Sequence, residues 1–501
     1  MQLARKTEIA EAVNSMAKRF AAGTNEFSQT IRMEQDLVNK RSFIDKRLTS
    51  MLMSQKSATL ETVRETQRIE FETVERDLRE VRAKISDKFP NYAALGSPEP
   101  LTPSEVRRLL DKDEALIAFD IEKDTGFVWV VTSTNSFWTE LPISAAWLSD
   151  NLKQLRLSLT NQHNIPFDPK LSFEIYKKTI APISHLLDGK KRISVFSNSA
   201  LTSIPLGLLV TQDPNEKRLK DVDWLIKDFA ITVLPSIYSL KTMRSMPVLT
   251  KARRPMIAFA DPVFAKKEPI VASIRGMTEL YQGGQIDFTA LREFPHLPGT
   301  RAEVEAIRDK LRGSTSDVRL GINATETAVK NAKLSDYKIV YFATHGLVAG
   351  DLSKFSKAKA EPALVMTIPD NPTAFDDGLL QAGEIAELKL DADWVVLSAC
   401  NTATSDFIGA EALSGLARSF LYAGARSIVA SHWDVEDKAT ARLMTDMFTI
   451  AKDNPRLWHG EALQQAMLKM LRSAKNENEA HPRVWAPFVV IGEPARQVDG
   501  R

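Results

Sequence analysis

The chain has 501 residues, 44% of them hydrophobic and 26% charged, with 24 prolines and a formal net charge of +2. At roughly 150 residues per domain this length fits two to four folded domains with ample chain for a large core, and the apolar content excludes disorder as the main state. Sixty-six basic residues against 64 acidic ones leave no whole-molecule field to hold nucleic acid or an anionic membrane.

The first 13 residues, MQLARKTEIAEAV, mix both charge signs and lack an apolar stretch, so neither a secretory signal nor a transit peptide is expected and the expected location is cytoplasmic. From about Phe27 to Phe89 the chain has no Gly or Pro, and Leu60, Val63, Phe71, Val74, Leu78, Val81 and Ile85 recur at gaps that mix threes and fours. That spacing predicts long amphipathic helices in a hairpin or short coiled coil, ended by Pro90. Two roles fit it: a hairpin that only packs on its neighbour, or an arm that binds an activating partner.

After a Pro- and Gly-rich stretch, ALIAFDI at 115–121, FVWVVT at 127–132 and SFWTELP at 136–142 predict three strands in a meander or hairpin. Further strands are expected at ISVFS near 193, PMIAFA near 255, KIVYFAT near 338, DWVVLSA near 393, SIVAS near 427 and APFVVIG near 486. Helices are expected around 170–187, 299–312, 408–424, 435–452 and 460–474. Such alternation predicts an α/β fold with a mostly parallel sheet covered on both faces. The longest charge-free run, residues 193–212, holds eight Ser, Thr, Asn or Gln residues with Pro205 and Gly207; it reads as strand, turn and loop, so no membrane span is expected. Segments 262–292 and 348–376 read as long loops.

Cys400 is the single cysteine, which excludes an intramolecular disulfide and a Cys-rich metal site. In open α/β sheets the ligand site lies outside the carboxyl ends of the strands. KIVYFAT runs into His345-Gly346 and DWVVLSA runs into Cys400, with His345 lying 55 residues upstream of the cysteine. On neighbouring parallel strands the two would bring an imidazole beside a thiol, as a cysteine nucleophile requires. The other histidines are poorer candidates. His163, His185, His296, His459 and His481 lie in scattered polar contexts without a second ligand at metal spacing, and His432 beside Trp433 carries no argument for chemistry. Asp377-Gly378 reads as a turn. GAEALSG at 409–415 lacks the Lys of a phosphate-binding loop, so no nucleotide and no other cofactor is expected.

The blocks YFATHGLV, DDGLLQAGEIAELKLDADWVVLSACNTA, GAEALSGLARSFLYAGARSIVASHWDVEDKATARLM and WAPFVVIG resemble, in order, those of the CHAT domain. This is a caspase-like cysteine peptidase family, related to separase and often attached to TPR repeats. VFSNSALTSIPLGLL, FAITVLPSIYSL, MIAFADPVF and HLPGTRAEVEAI are similar to weaker blocks upstream, so the resemblance covers about Ser97 to Glu493. It implies a caspase-like sheet flanked by helices and three regions: N-terminal helices over 1–95, an N-terminal or pseudo-catalytic half over 96–250 and a catalytic half over 251–501.

By the same resemblance, Cys400 is the nucleophile, His345 its general base or imidazolium partner, and the backbone N–H groups of Gly346 and Cys400 the oxyanion hole. SHWDVEDK resembles the stretch lining the S1 side of the cleft, which makes Asp437 and then Asp434 candidates for binding a basic P1 residue. These acidic residues, with Glu436, equally suit a helix N-terminus. SACNT departs from the Q-A-C-[RQG]-G signature of caspases, so strict P1 Asp specificity is not implied. The implied function is a cysteine endopeptidase acting on a protein substrate, regulated by a partner or ligand, as in bacterial defence. The alternative is a non-catalytic scaffold that binds an effector complex. A hydrolase of small molecules is disfavoured because G-x-S-x-G is absent. Oligomeric state is left open.

Overall fold

A computed structural model of the chain describes residues 58–88, 101–160, 165–245, 254–264, 294–347, 362–398 apart from 371 and 374, 415–433 and 437–492. It also describes positions 33, 36, 37, 40, 41, 44 and 292. Helix α1, Ala58–Lys88, buries Val74, Leu78 and Val81 along one face, the spacing expected of an amphipathic helix. Lys40 and Arg41, on the helical stretch before it, pair with Glu70 and Glu75 of α1 at 2.9 and 3.2 Å.

The body is a sheet clothed by helices. Strands β1 (Glu114–Ile121), β2 (Gly126–Thr132) and β3 (Ser136–Leu141) form the antiparallel meander predicted from sequence. Then come β4 (Arg192–Ser197), β5 (Ala230–Val233), β6 (Arg254–Ala260), β7 (Val318–Leu320) and β8 (Tyr337–Ala343). Next, β9 (Gly346–Leu347), β10 (Ala363–Val365) and β11 (Leu379–Gln381) make a separate three-stranded sheet, and β12 (Trp394–Ser398), β13 (Ser427–Ser431) and β14 (Phe488–Gly492) complete the main one. Among the described residues the main sheet has eleven strands, ordered β3-β2-β1-β4-β5-β14-β13-β12-β8-β6-β7. Strands β1, β4, β5 and β14 run parallel to one another, as do β13, β12, β8, β6 and β7. The two sets meet at the antiparallel pair β13–β14.

The near-continuous apolar strands are explained by burial on both faces. In β8, Ile339, Tyr341 and Ala343 enter one core and Val340 and Phe342 the other; in β12, Trp394 and Val396 oppose Val395 and Leu397 in the same way. The following helices cover the sheet: α2 (Pro103–Leu109), α3 (Ala145–Leu157), α4 (Pro169–Thr179), α5 (Ile237–Ser245), α6 (Pro298–Leu311), α7 (Glu326–Asn331), α8 (Ala382–Glu387), α9 (Gly415–Ala423), α10 (Asp437–Asp453) and α11 (His459–Ser473). Helices α3, α4, α6, α10 and α11 pack on one face. On the other, α7, α8 and α9 pack over the second parallel set, while α2 and α5 contribute to a smaller core over the first. This is the α/β fold with a mostly parallel, helix-flanked sheet that the sequence predicts. No helix among the described residues is long and apolar enough to cross a membrane.

Two expectations are corrected in detail. The loop expected over 348–376 contains buried strand β10, whose Ala363, Leu364 and Val365 pair on both sides. The helix expected from 170 to 187 is α-helical only to Thr179 and tightens into a 3-10 turn at Ala181–Leu186, where Pro182 cannot supply the next backbone N–H. The segments 265–291, 348–361 and 399–414 lie outside the described residues.

Candidate active site

Strands β6, β8 and β12 line up their carboxyl ends along one rim. Ala260 of β6 is in register with Ala343 of β8, and Ala343 with Ser398 of β12. Beyond these ends the chain reads Asp261 after β6, His345 after β8 and Cys400 after β12. His345 and Cys400 each follow the paired residues Ala343 and Ser398 by two positions. Cys400 itself lies outside the described residues, as do Asp434 and Glu436. Helix α10 begins at Asp437, so this residue occupies the helix start that was one of its two readings.

His345 is buried, 9% exposed. Its Nε2 lies 2.9 Å from the carbonyl oxygen of Pro295. A carbonyl only accepts, so Nε2 carries the hydrogen and Nδ1 is the basic nitrogen of the neutral ring. The rings of Phe294 and Phe264 pack against the imidazole with centroids 5.0 and 5.4 Å away. The backbone behind the ring is fixed too: the N–H of Val365 donates to the His345 carbonyl at 2.9 Å, and the Thr344 hydroxyl donates to the Val365 carbonyl. That bond makes 345 and 365 a hydrogen-bonded pair of the β9–β10 ladder. Because such pairs alternate in antiparallel strands, Gly346, opposite Leu364, turns its N–H away from β10.

Three side chains, Asp261, His296 and Arg301, tie the end of β6 to the segment that follows Pro295 and were missed at the level of sequence. Asp261, 4% exposed, has the left-handed backbone angle φ +54°. One of its carboxylate oxygens lies 2.6 Å from His296 Nε2, and the other meets Arg301 at 2.6 and 2.8 Å. The Asp261 N–H donates to the Thr300 hydroxyl at 3.0 Å. The available signal was that MIAFADPVF and HLPGTRAEVEAI both resemble family blocks and carry Asp261, His296 and Arg301. It was obscured because an ion pair between residues 35 positions apart has no local pattern.

The Asp377-Gly378 turn is present, with Gly378 at φ +87°; a β-carbon there would sit 3.2 Å from the Ile368 Cα. The Glu326 carboxylate accepts from the N–H groups of Asp377 and Gly378 at 2.9 and 3.2 Å and is paired with Lys330. Burial and the neighbouring Glu384 raise the Glu326 carboxyl above the usual carboxylate range against the pull of Lys330, and burial raises Asp377 to about 6. This cluster holds the turn joining β10 to β11. His459 and His481, placed in polar contexts from sequence, are buried instead, as is His432. Burial drives His432 and His459 down to about 3 and His481 to about 4. Among the described residues no group of three or more His, Cys, Asp or Glu side chains is spaced to hold a metal ion.

Residues 169–493, more than half of the chain, match the model of the CHAT domain. Human tetratricopeptide repeat protein 28 is 24% identical over 408 residues, which cover 74% of this chain but 15% of that protein. In the Saccharomyces cerevisiae separase-securin complex, the structural match has a TM-score of 0.47 and 11% identity and covers 95% of this chain and 34% of the other. Gingipain R of Porphyromonas gingivalis, an Arg-specific cysteine proteinase, matches with a TM-score of 0.38 and 12% identity over 70% of this chain and 75% of its own. The chain thus spans a minor part of the human and yeast proteins. With a matched region running from α4 through β14 and enclosing every strand end on the rim, the chain belongs to the CHAT domain family.

Proposed function

We propose that the protein is a cysteine endopeptidase in which Cys400 attacks the scissile carbonyl and His345 takes the thiol proton. The observation that carries this reading is the register of β8 and β12: Ala343 opposite Ser398 sets the His and the single Cys two residues beyond adjacent strand ends. Adjacent parallel strands are about 4.8 Å apart, within reach of a side-chain hydrogen bond once both chains turn outward. The bond from Nε2–H to the Pro295 carbonyl supports the same reading, because it leaves Nδ1 as the base.

In the proposed reaction the thiolate sulfur bonds to the substrate carbonyl carbon, and the imidazolium returns its proton to the departing amine as the C–N bond breaks. Water, with His345 again as base, then releases the acyl group and frees the thiol. The Gly346 and Cys400 N–H groups stabilise the oxyanion; the outward turn of the Gly346 N–H in the ladder supports this. Asp437, and after it Asp434, selects a basic P1 residue by a charge-assisted bond. The substrate is a protein, and the N-terminal helices provide a surface for an activating partner.

A proteome-derived peptide library tests the assignment. Cleavage after Lys or Arg is expected from the wild-type chain, with none from Cys400→Ala or His345→Ala although both variants remain folded by circular dichroism. Undiminished cleavage by either variant would remove the dyad; cleavage without a basic P1 preference would remove Asp437 and Asp434 from the pocket.

A further inference from the structure

We propose that Asp261 is a positioning residue for the His345 imidazole, acting through His296 and the Pro295 carbonyl; the inference rests on the reading of His345 and Cys400 as a catalytic pair. The connections run in one direction. Asp261, at the end of β6, meets His296 Nε2 at 2.6 Å, and His296 directly follows the residue whose carbonyl holds His345 Nε2 at 2.9 Å. Phe294, on the other side of Pro295, packs on the same imidazole. A buried carboxylate that directly follows β6, the neighbour of β8, thus lies in close contact with the segment that aims the ring at 296 and is bonded to the same segment at Thr300 and Arg301.

A second observation is independent of this chain of contacts. Asp261 holds a left-handed φ of +54°, a conformation uncommon outside glycine, though easier for Asp and Asn, that persists where surroundings enforce it. The conformation lies at the one residue between Ala260, in register with the His345 strand, and Pro262, which leads to Phe264, the other ring against His345. Its backbone N–H and carboxylate both reach the segment 296–301, through His296, Thr300 and Arg301. Simple anchoring of α6 would need only Thr300 and Arg301, both on that helix. His296 lies before the helix, half exposed, and contributes little to stability as a surface partner. Its close contact with Asp261 instead bears on the carbonyl one residue away.

The single cysteine makes the test independent of any substrate. Full-length protein is treated with iodoacetamide and the adduct on Cys400, formed as its sulfur displaces iodide, is followed by mass analysis of the peptide that carries it. The rate at about pH 6, where a free thiol is less than about 1% ionised, is divided by the rate at about pH 10, which corrects for access. His345→Ala is expected to lower that ratio more than about tenfold, and Asp261→Asn and His296→Gln each about three- to tenfold. Asn accepts a left-handed φ as readily as Asp, so Asp261→Asn removes the charge and keeps the turn. The double variant is expected to match the slower single one, since both act through one carbonyl. An unchanged ratio in Asp261→Asn and His296→Gln, with His345→Ala slowed, overturns the positioning role and leaves the dyad standing. An unchanged ratio in His345→Ala overturns the dyad itself. If Asp261→Asn fails to fold, half-exposed His296→Gln decides alone.

Discussion

Among the described residues, four buried histidines answer to different surroundings. His345 gives its Nε2–H to the Pro295 carbonyl and packs against two Phe rings. His459 lies against Trp394 with ring centroids 3.4 Å apart and Nδ1 2.7 Å from the Ser427 hydroxyl. His481 Nδ1 accepts the Arg483 N–H at 3.2 Å, so it must be unprotonated. His432, directly after β13, is buried near the Arg156 guanidinium. Burial lowers His432, His459 and His481 below the ordinary 6.5. A depressed folded pKa gives stability that is complete above pH 6.5 and lost as pH falls below it, because the unfolded chain binds the proton first. At pH 5 a fully neutral buried histidine costs about 2 kcal/mol of folding stability. Replacing His459 by Phe, which keeps a ring against Trp394, is expected to reduce the stability lost between pH 7 and 5 in urea titrations by about that amount. A pH dependence identical to wild type would show that His459 titrates normally. At this scale the sequence singled out His345 as a candidate because it follows a strand, yet misread His459 and His481. Their burial depends on α11 and the turn after it folding back over the sheet, which no local spacing announces.

Among the elements, strands with long apolar runs were legible and short ones were not. KIVYFAT and DWVVLSA stand out because both faces of β8 and β12 are covered. Strand β5 has only four residues, and β7, β10 and β11 three each, too few for a period to emerge. Strand β9 has two residues and is a strand only because β10 pairs with it. The glycines that end elements carry firmer information. Gly424, between α9 and β13, has φ +119°, and a β-carbon there would lie 2.4 Å from the Leu390 carbonyl oxygen. That carbonyl is backbone and cannot swing aside. Gly424→Ala is expected to destabilise the fold by more than about 2 kcal/mol in chemical denaturation. A loss under about 0.5 kcal/mol would mean that the turn relaxes to a different path.

Across the whole molecule, two parallel sets of strands join through β14, which the C-terminal region contributes between β5 and β13. Arg156 of α3 stitches the same seam, donating to the Ser203 carbonyl at 2.7 Å and to the His432 carbonyl at 2.9 Å. The alternating pattern of strands and helices made the class of fold readable, but strand order was not, since β14 pairs with partners far away in sequence. The candidate site was expected from the sequence for a related reason: parallel strands deliver their carboxyl ends to one rim, and KIVYFAT and DWVVLSA form the adjacent parallel strands β8 and β12. Asp261 and His296 escaped because their importance comes from the carbonyl between them and His345. The central claim, a thiol activated by His345, is tested most directly with a peptidyl acyloxymethyl ketone bearing a P1 lysine. Intact mass should show one adduct, on Cys400, in the wild-type chain and labelling about a hundredfold or more slower in His345→Ala. Equal labelling of the two proteins would contradict it.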